Sequence, residues 1–418
     1  MTLSSDALHL ALSAPSVSAL REASARVRHD LATAARPEEV CRDAHRRDRF
    51  QPFRIAATGS SKEHLLRSID RAVENVSALR PHLEEPRIAF LFAGQGVQYA
   101  GMGRTLYERE ATFRASFNDV ADRLRNAGAA DVRSFLADTH DSELIHFTTH
   151  TQPLLFAFEF ALTHTLLTWG VRPSFLLGHS LGELVAWCVA GSLSIDDACR
   201  VVVARANTMS RIPTEGAMAT VFATESDLRS LLERHGGRVS IAGYNSPTNL
   251  AVAGEVIAMD QFLAELDSLG VEYSRLKISF GAHSPLIDPV LNDFAAAISS
   301  CEFKDATLPV VSNVTGKATT SAPTASYFRA HAREPVRFSE SVKTLESEHV
   351  ECFVSVAPHP TLLRLLRANT NRGTLVATLE RGGDDVAQMM SALDALYLRG
   401  VNVRFSDVTF DAHSSGTA

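Results

Sequence analysis

The stretch Ser174-Phe175-Leu176-Leu177-Gly178-His179-Ser180-Leu181-Gly182-Glu183 runs directly into the helical pattern Leu184-Val185-Ala186-Trp187. It predicts a buried strand, a sharp turn and a helix, with Ser180 at the apex of the turn. A turn of this Gly-x-Ser-x-Gly type lifts a hydroxyl clear of the backbone and directs the N–H groups of the following helix at the same place. The pentapeptide also occurs by chance in loops. The strand before it and the helix after it favour a nucleophile.

A second buried strand is predicted upstream, where the apolar run Ile88-Ala89-Phe90-Leu91-Phe92 ends at Gly94-Gln95-Gly96. Uninterrupted apolar strands of this kind are typical of parallel sheets covered on both faces. Open α/β sheets bind ligands in glycine-flanked loops at strand ends. Strand and helix patterns alternate from here through Ser180, so we expect an α/β fold with a hydrolase-like parallel-sheet core.

The pattern changes twice along the chain. Residues 1–86 predict a separate N-terminal α+β domain, with helices near Val17 to Ala34 and Ser61 to Leu79 and a strand at Phe53 to Ala57. Residues 212–278 follow the order β-α-β-β-α-β, which predicts an inserted ferredoxin-like α+β subdomain whose last strand runs from Tyr273 to Ile278. The large α/β subdomain therefore comprises 87–211 and 279–409, and 410–418 is expected to be a loose tail.

Composition excludes several classes of protein. The 418 residues carry a net charge of −7, which argues against nucleic-acid binding because phosphate backbones need a concentrated basic face. The first residues lack the pattern of a signal peptide, and no stretch has the roughly 20 apolar residues needed to span a bilayer. We therefore expect a cytoplasmic protein with no membrane association. Five scattered cysteines suggest neither a disulfide framework nor a metal site.

Two further residues are candidates for chemistry. A nucleophilic serine needs a base, and His283 lies where the inserted subdomain returns the chain to the large one, a favoured position for a pocket. Arg205 shares a face with Val201, Val202 and Met209 on a helix predicted to begin after Ser194. An arginine on an apolar face either extends its guanidinium to water or binds an anion such as a carboxylate.

Several motifs then stand in one order, and on them the chain resembles the malonyl-CoA:acyl-carrier-protein acyltransferases, more narrowly the acyltransferase domains of modular polyketide synthases. The likeness runs from about Arg87 to Arg404, and residues 1–86 are similar to the linker between ketosynthase and acyltransferase. With neither a ketosynthase nor a carrier domain in the sequence, it implies a free-standing enzyme that acts in trans. The motifs are Gly94-Gln95-Gly96, Gly178 to Glu183, Arg205, Tyr244-Asn245-Ser246-Pro247, His283-Ser284-Pro285 and Ser312-Asn313-Val314-Thr315-Gly316.

The resemblance implies a ping-pong reaction with acyl-CoA and an acyl carrier protein as partners. Ser180, deprotonated by His283, takes the acyl group from CoA and passes it to the phosphopantetheine thiol of the carrier. No other cofactor is implied, since the phosphopantetheine belongs to the carrier. The family pattern assigns the oxyanion hole to the backbone N–H groups of Gln95 and Leu181.

The same resemblance assigns the remaining site residues. Arg205 matches the arginine that pairs with the free carboxylate of malonyl groups, and Asn245 and Phe280 are expected to contact substrate. A backbone carbonyl orients the catalytic histidine in this family, and aligning the run before Pro335-Val336 places that carbonyl at His331.

The motifs give mixed indications of acyl selectivity. Leu181 and the run Thr148 to Pro153 look like malonyl-selective members, whereas Phe280-Gly281-Ala282-His283 is closer to the Tyr-Ala-Ser-His of methylmalonyl members than to the His-Ala-Phe-His of malonyl ones. A single methyl group changes selectivity by only about 1–3 kcal/mol. We expect malonyl, with methylmalonyl or another acyl group as the alternative.

Other functions remain open from the sequence. An editing hydrolase that clears acyl groups from carriers would use the same serine, and a docking module with a vestigial site would use none of it. The residues are also compatible with a piece of a larger synthase. The basic cluster from Arg42 to Arg54 is either a solvated surface or a docking patch for an acidic carrier protein.

Overall fold

The computed structural model describes residues 7–137, 143–276 and 281–411. Its N-terminal unit packs three helices on an antiparallel strand pair around a separate small hydrophobic core. The elements are β1 (Leu8–Ala14), α1 (Val17–Thr33), α2 (Pro37–Arg47), β2 (Phe53–Gly59) and α3 (Lys62–Glu74). Both predicted helices and the predicted strand are present. The sequence analysis missed β1 and α2.

Buried polar contacts fasten this unit to the large α/β unit. The guanidinium of Arg54 is buried and donates to the Val401 carbonyl at 2.7 Å and to Asn402 Oδ1 at 2.8 Å. Tyr397 Oη donates to Asp48 Oδ2 at 2.7 Å. Arg54 therefore belongs to an internal junction, and the expectation that it forms part of an exposed basic cluster was wrong.

The first half of the large unit contains the two strands that the sequence places beside the site. Its elements are β3 (Ile88–Phe92), α4 (Arg104–Arg109), α5 (Ala111–Asn126), α6 (Ser134–Ala137), α7 (Thr148–Thr168), β4 (Phe175–Gly178), α8 (Leu181–Val189) and α9 (Ile195–Met209). Ser194 caps α9 as predicted, because its hydroxyl accepts a hydrogen bond from the Asp197 N–H at 3.0 Å.

The small α+β unit follows, with the predicted order β-α-β-β-α-β. It comprises β5 (Gly216–Val221), α10 (Glu225–Arg234), β6 (Val239–Ser246), β7 (Asn249–Glu255), α11 (Val256–Leu269) and β8 (Tyr273–Arg275). The four strands form an antiparallel sheet in the order β6-β7-β5-β8. The end of the predicted last strand, and the return to the large unit near Ser279, lie outside the described residues.

The second half of the large unit completes a six-stranded sheet in the order β10-β9-β4-β3-β11-β12, parallel except for β10. Because β3 and β4 are central neighbours, the loops that follow them meet at one edge. The elements are α12 (Leu291–Ala297), β9 (Val310–Val311), β10 (Ala318–Thr319), α13 (Ala325–Arg333), α14 (Phe338–Ser347), β11 (Cys352–Ser355), α15 (Thr361–Asn369), β12 (Thr374–Ala377) and α16 (Asp385–Tyr397). The α/β class predicted from the sequence is confirmed.

Backbone hydrogen bonds join the small unit to the large one. The Tyr244 N–H in β6 donates to the Val336 carbonyl at 2.8 Å, and the Val336 N–H donates to the Ala242 carbonyl at 3.0 Å. The segment between α13 and α14 thus extends the edge of the small sheet.

The last described residues are ordered against the large unit. The Asp411 N–H donates to the Arg109 carbonyl at 2.7 Å, and Phe410 packs edge-on against Trp169. The expectation of a loose tail was wrong for these two residues, and 412–418 lie outside the described part. Within the described ranges, no helix combines the length and apolar character required to cross a bilayer.

Candidate active site

The turn between β4 and α8 carries Ser180 in a strained backbone conformation, with φ 53° and ψ −112°. The flanking residues must be glycines for lack of space. A Cβ on Gly178 would lie 2.0 Å from the Glu183 nitrogen, and one on Gly182 would lie 2.2 Å from the Phe92 carbonyl oxygen. The sequence therefore folds here as a nucleophile elbow pressed against the end of β3.

A buried polar network braces the elbow from below. Asn313 Oδ1 accepts from the Ser180 N–H at 2.7 Å, and Asn313 Nδ2 donates to the Gly178 carbonyl at 2.7 Å. Glu183 in turn accepts from the Asn313 N–H at 2.6 Å and from Trp187 Nε1 at 2.9 Å, and Tyr327 Oη donates to it as well. The strained turn is thus held by Asn313, and Asn313 is supported by Glu183, which Trp187 and Tyr327 hold in place.

Sequence reasoning quoted Ser312-Asn313 and Glu183 only as motif letters and missed this role. Burial raises the pKa of the Glu183 carboxyl to about 7, while the hydrogen bonds from Tyr327, Asn313 and Trp187 lower it. The sequence did contain a signal for this role: Glu183 lies in the first turn of α8, whose other residues are apolar, which indicates a buried hydrogen-bond acceptor.

Ser180 and His283 are in direct contact. Ser180 Oγ lies 2.7 Å from His283 Nε2, and His283 Nδ1 lies 2.9 Å from the Glu334 carbonyl oxygen. Because a carbonyl only accepts, Nδ1 carries the proton and Nε2 is left to accept from the serine hydroxyl. His283 is buried and has a positive φ of 56°.

The carbonyl that orients His283 is therefore that of Glu334, and the prediction of His331 was wrong by three residues. Glu334 follows the last turn of α13 in an extended conformation, so its carbonyl points away from the helix and towards the cleft. The His331 carbonyl also raises the pKa of His283, but by less than the Glu334 carbonyl does. The His331 ring is buried, with Nε2 3.5 Å from Glu183 Oε2.

Burial and charge keep His283 neutral. Loss of solvation is the largest cause and the nearby Arg205 charge is second, and together they lower the pKa of His283 to about 3, against the raising effect of the Glu334 carbonyl. A neutral imidazole bonded to a serine hydroxyl can accept its proton, which is the chemistry of an activated nucleophile.

Arg205 lies on α9 beside the serine and is only 2% exposed, so the alternative in which its guanidinium reaches water is excluded. Its Nη2 donates to Ser180 Oγ at 2.9 Å and its Nη1 donates to Gln152 Oε1 at 2.7 Å. Its Nε has no partner among the described residues. Burial lowers the pKa of Arg205 to about 10, which leaves it cationic at neutral pH.

A chain of buried side chains links Arg205 to the loop after β3. Gln152 Nε2 donates to Thr148 Oγ1 at 2.6 Å, and Thr148 Oγ1 donates to Gln95 Oε1 at 3.1 Å. The main-chain N–H groups of Gln95 and Leu181 have no acceptor within the described ranges, and Leu181 is the first residue of α8. Both are backbone donors of the kind that bind an oxyanion.

A cavity of about 210 Å³ lies between the large and small units at this site. The large unit contributes the polar side, with Gln95, Ser180, Arg205 and His283. The small unit contributes a mostly apolar wall that includes Met218, Thr220, Ala242, Ala251 and Leu276, and Ala282 lies beside it.

The structure places Asn245 in the same cavity wall, where its polar atoms join the two units. Its Oδ1 accepts from His179 Nε2 at 3.1 Å, and its Nδ2 donates to Asn249 Oδ1 at 3.1 Å. A direct role with substrate stays a prediction for Asn245. Phe280 lies outside the described residues.

With this geometry established, the comparisons identify the family. The family model described as the acyl transferase domain matches residues 89–403. The chain belongs to this acyltransferase family.

Solved and curated relatives agree with that assignment. The acyltransferase domain from the second module of the salinomycin polyketide synthase is 33% identical with a TM-score of 0.77, covering 95% of this chain and 94% of that one. The malonyl-CoA:acyl carrier protein transacylase of Xanthomonas oryzae is 27% identical with a TM-score of 0.68, covering 75% and 99%. Polyketide synthase GfsA of Streptomyces halstedii is 36% identical over 94% of this acyltransferase, which spans 6% of that relative's length.

Proposed function

We propose that this acyltransferase moves a malonyl group from CoA to the phosphopantetheine thiol of an acyl carrier protein in polyketide biosynthesis, through an ester on Ser180. The observation that carries the proposal is the buried, cationic Arg205 within hydrogen-bond distance of the serine oxygen. A hydrolase acting on neutral acyl groups needs no such cation in its pocket, and an unpaired buried charge is costly.

The guanidinium is arranged to receive a carboxylate. Gln152 holds Nη1, so the edge formed by Nε and Nη2 is left for the substrate. Arginine binds carboxylates through two such parallel N–H groups. An incoming malonyl carboxylate would replace Ser180 Oγ as the partner of Nη2, which frees the serine oxygen for attack.

The proposed reaction has two matched halves. His283 Nε2 accepts the Ser180 proton as Oγ attacks the thioester carbonyl, and it returns the proton to the CoA sulfur as the C–S bond breaks. In the second half His283 accepts the proton of the phosphopantetheine thiol as its sulfur attacks the ester, and Ser180 leaves with that proton. We propose that the Gln95 and Leu181 N–H groups stabilise the oxyanion in both halves.

We propose malonyl as the preferred group, and a malonyl carrying a small α-substituent as the second candidate. Ala242, Ala251 and Ala282 line the cavity with small side chains, which leaves space next to the apolar wall for an α-methyl group. The carboxylate contact at Arg205 is common to both.

Intact-protein mass spectrometry with a panel of acyl-CoA thioesters tests the proposal. Malonyl-CoA should add one malonyl mass, and Ser180→Ala should abolish it. Absence of any adduct on the wild-type protein would instead favour a docking module. A carrier protein added as a separate polypeptide should then remove the acyl group much faster than water does, which also tests action in trans. An acyl-enzyme that decays equally fast in water alone would indicate an editing hydrolase.

A further inference from the structure

Glu159 is a buried carboxyl group that none of the steps above uses. It lies on α7, is fully buried, and its Oε1 accepts a hydrogen bond from the Ala93 N–H at 2.9 Å. Its Oε2 is also buried and has no hydrogen-bond partner within the described ranges. No cationic side chain of the described residues forms an ion pair with it, so it differs from the buried acids that stabilise folds through salt bridges.

The Ala93 N–H, which donates to Glu159, lies directly before the loop that carries Gln95. Ala93 links the last residue of β3 to the Gly94-Gln95-Gly96 loop. The backbone on either side of Ala93 N is already pressed against the elbow, since the Phe92 carbonyl accepts from the His179 N–H at 2.9 Å and a Cβ on Gly94 would lie 2.8 Å from the His179 carbonyl oxygen. A small rotation about Ala93 would therefore be transmitted to Gln95.

Helix α7 forms hydrogen bonds to this loop at two points. Thr148 Oγ1 donates to the Gln95 side chain, and Glu159 accepts from the backbone just before it. The two residues are eleven positions apart, which is about three turns at 3.6 residues per turn, so they lie on the same face of the helix. Side chain and main chain of the loop are thus fixed by one rigid element.

We propose that Glu159 is a positioning residue that acts as a neutral hydrogen-bond acceptor for Ala93 and thereby places the Gln95 N–H for the oxyanion. The inference rests on the proposed function. Burial raises the pKa of the Glu159 carboxyl well above its ordinary value, opposed by the Ala93 N–H, which agrees with a protonated acid.

The test compares two variants at this position with a matched control. Glu159→Met removes the acceptor at similar length, and we expect the rate of Ser180 acylation to fall by about 10- to 100-fold, the scale of misplacing a reacting geometry by about 1 Å. The KM for malonyl-CoA and the malonyl-to-acetyl ratio should stay near wild type because Arg205 is untouched. Glu159→Gln restores a neutral acceptor and should recover most of the lost rate with an unchanged pH profile.

The control is Thr165→Val, which removes the buried α7 hydrogen bond from Thr165 Oγ1 to the Ala161 carbonyl at 2.9 Å, away from the loop. It changes a buried polar group of α7 away from the loop, and the acylation rate at 25 °C should stay at the wild-type value whatever the effect on the Tm. A Met variant whose Tm fell while its acylation rate stayed at the wild-type value would overturn the proposal in favour of a structural role. A Gln variant as slow as the Met one, or with a shifted pH profile, would show that a charged carboxylate is needed. Wild-type protein that fails to load Ser180 in the same assay would refute the proposed function instead.

Discussion

Replacing Arg205 by alanine should change which acyl groups the enzyme accepts. The malonyl carboxylate would lose both N–H groups of the Nε and Nη2 edge. Hydrogen bonds to charged groups contribute about 1.5–3 kcal/mol each, so two of them amount to about 3–6 kcal/mol. At about 1.4 kcal/mol per factor of ten, kcat/KM for malonyl-CoA should fall by about 10² to 10⁴.

Acetyl-CoA provides the internal comparison because it has no carboxylate. In Arg205→Ala its loading should fall far less than malonyl loading, or rise, since a buried cation has been removed from the pocket. The assay is the rate of acyl-enzyme formation with each thioester, followed by intact mass. Equal losses for malonyl and acetyl would refute the carboxylate role and leave Arg205 as a support for Ser180 alone.

Three other outcomes follow from the site. The acid limb of kcat/KM for acyl loading that belongs to His283 should lie far below the ordinary histidine value of 6.5 because the folded pKa of His283 is about 3; the stability that depends on the neutral ring is present above 6.5 and is lost as the pH falls towards 3. Because Glu183 has a pKa of about 7, the profile is measured in Glu183→Gln as well, and a limb near 6.5 that persists in that variant would contradict this. Asn313→Ala leaves the Ser180 N–H without its acceptor and should cost about 1–3 kcal/mol of unfolding free energy by urea titration; no loss would show that the brace is unnecessary. Charge reversal at the exposed residues Arg46 and Arg47 should slow transfer to a carrier protein more at low than at high salt. A transfer rate that the charge reversal does not change at either salt concentration would rule out a docking patch there.

The sequence predicted the core of the site because its constraints are local. Gly178 and Gly182 flank Ser180 at positions that leave no space for a side chain, and the apolar run of β3 indicates a buried parallel strand. The capping serine of α9 fixed the phase of that helix, which placed Arg205 on its inner face. Glycine positions, an apolar run and a helix cap were enough for these elements.

The remaining features depend on tertiary contacts that the sequence does not encode locally. The charged sequence of α2 gave no clear apolar pattern, so this helix was missed. Arg54 can be buried because the Val401 carbonyl, which lies beyond α16, accepts one of its N–H groups. The acceptor for His283 could be aligned only to within one helical turn, since any of the carbonyls near the end of α13 could have turned towards the cleft. Glu159 had no local signal beyond an acid in an apolar helix.

The backbone pairing between β6 and Val336 has a mechanical consequence. Glu334 lies two residues before that pairing, so the carbonyl that orients His283 is held close to the small unit. Arg337, one residue after Val336, donates its N–H to the Asn313 carbonyl at 2.9 Å, and Asn313 accepts from the Ser180 N–H. A shift of the small sheet would therefore move the acceptor of the base and the support of the nucleophile together, which couples the position of the small unit to the alignment of Ser180 with His283.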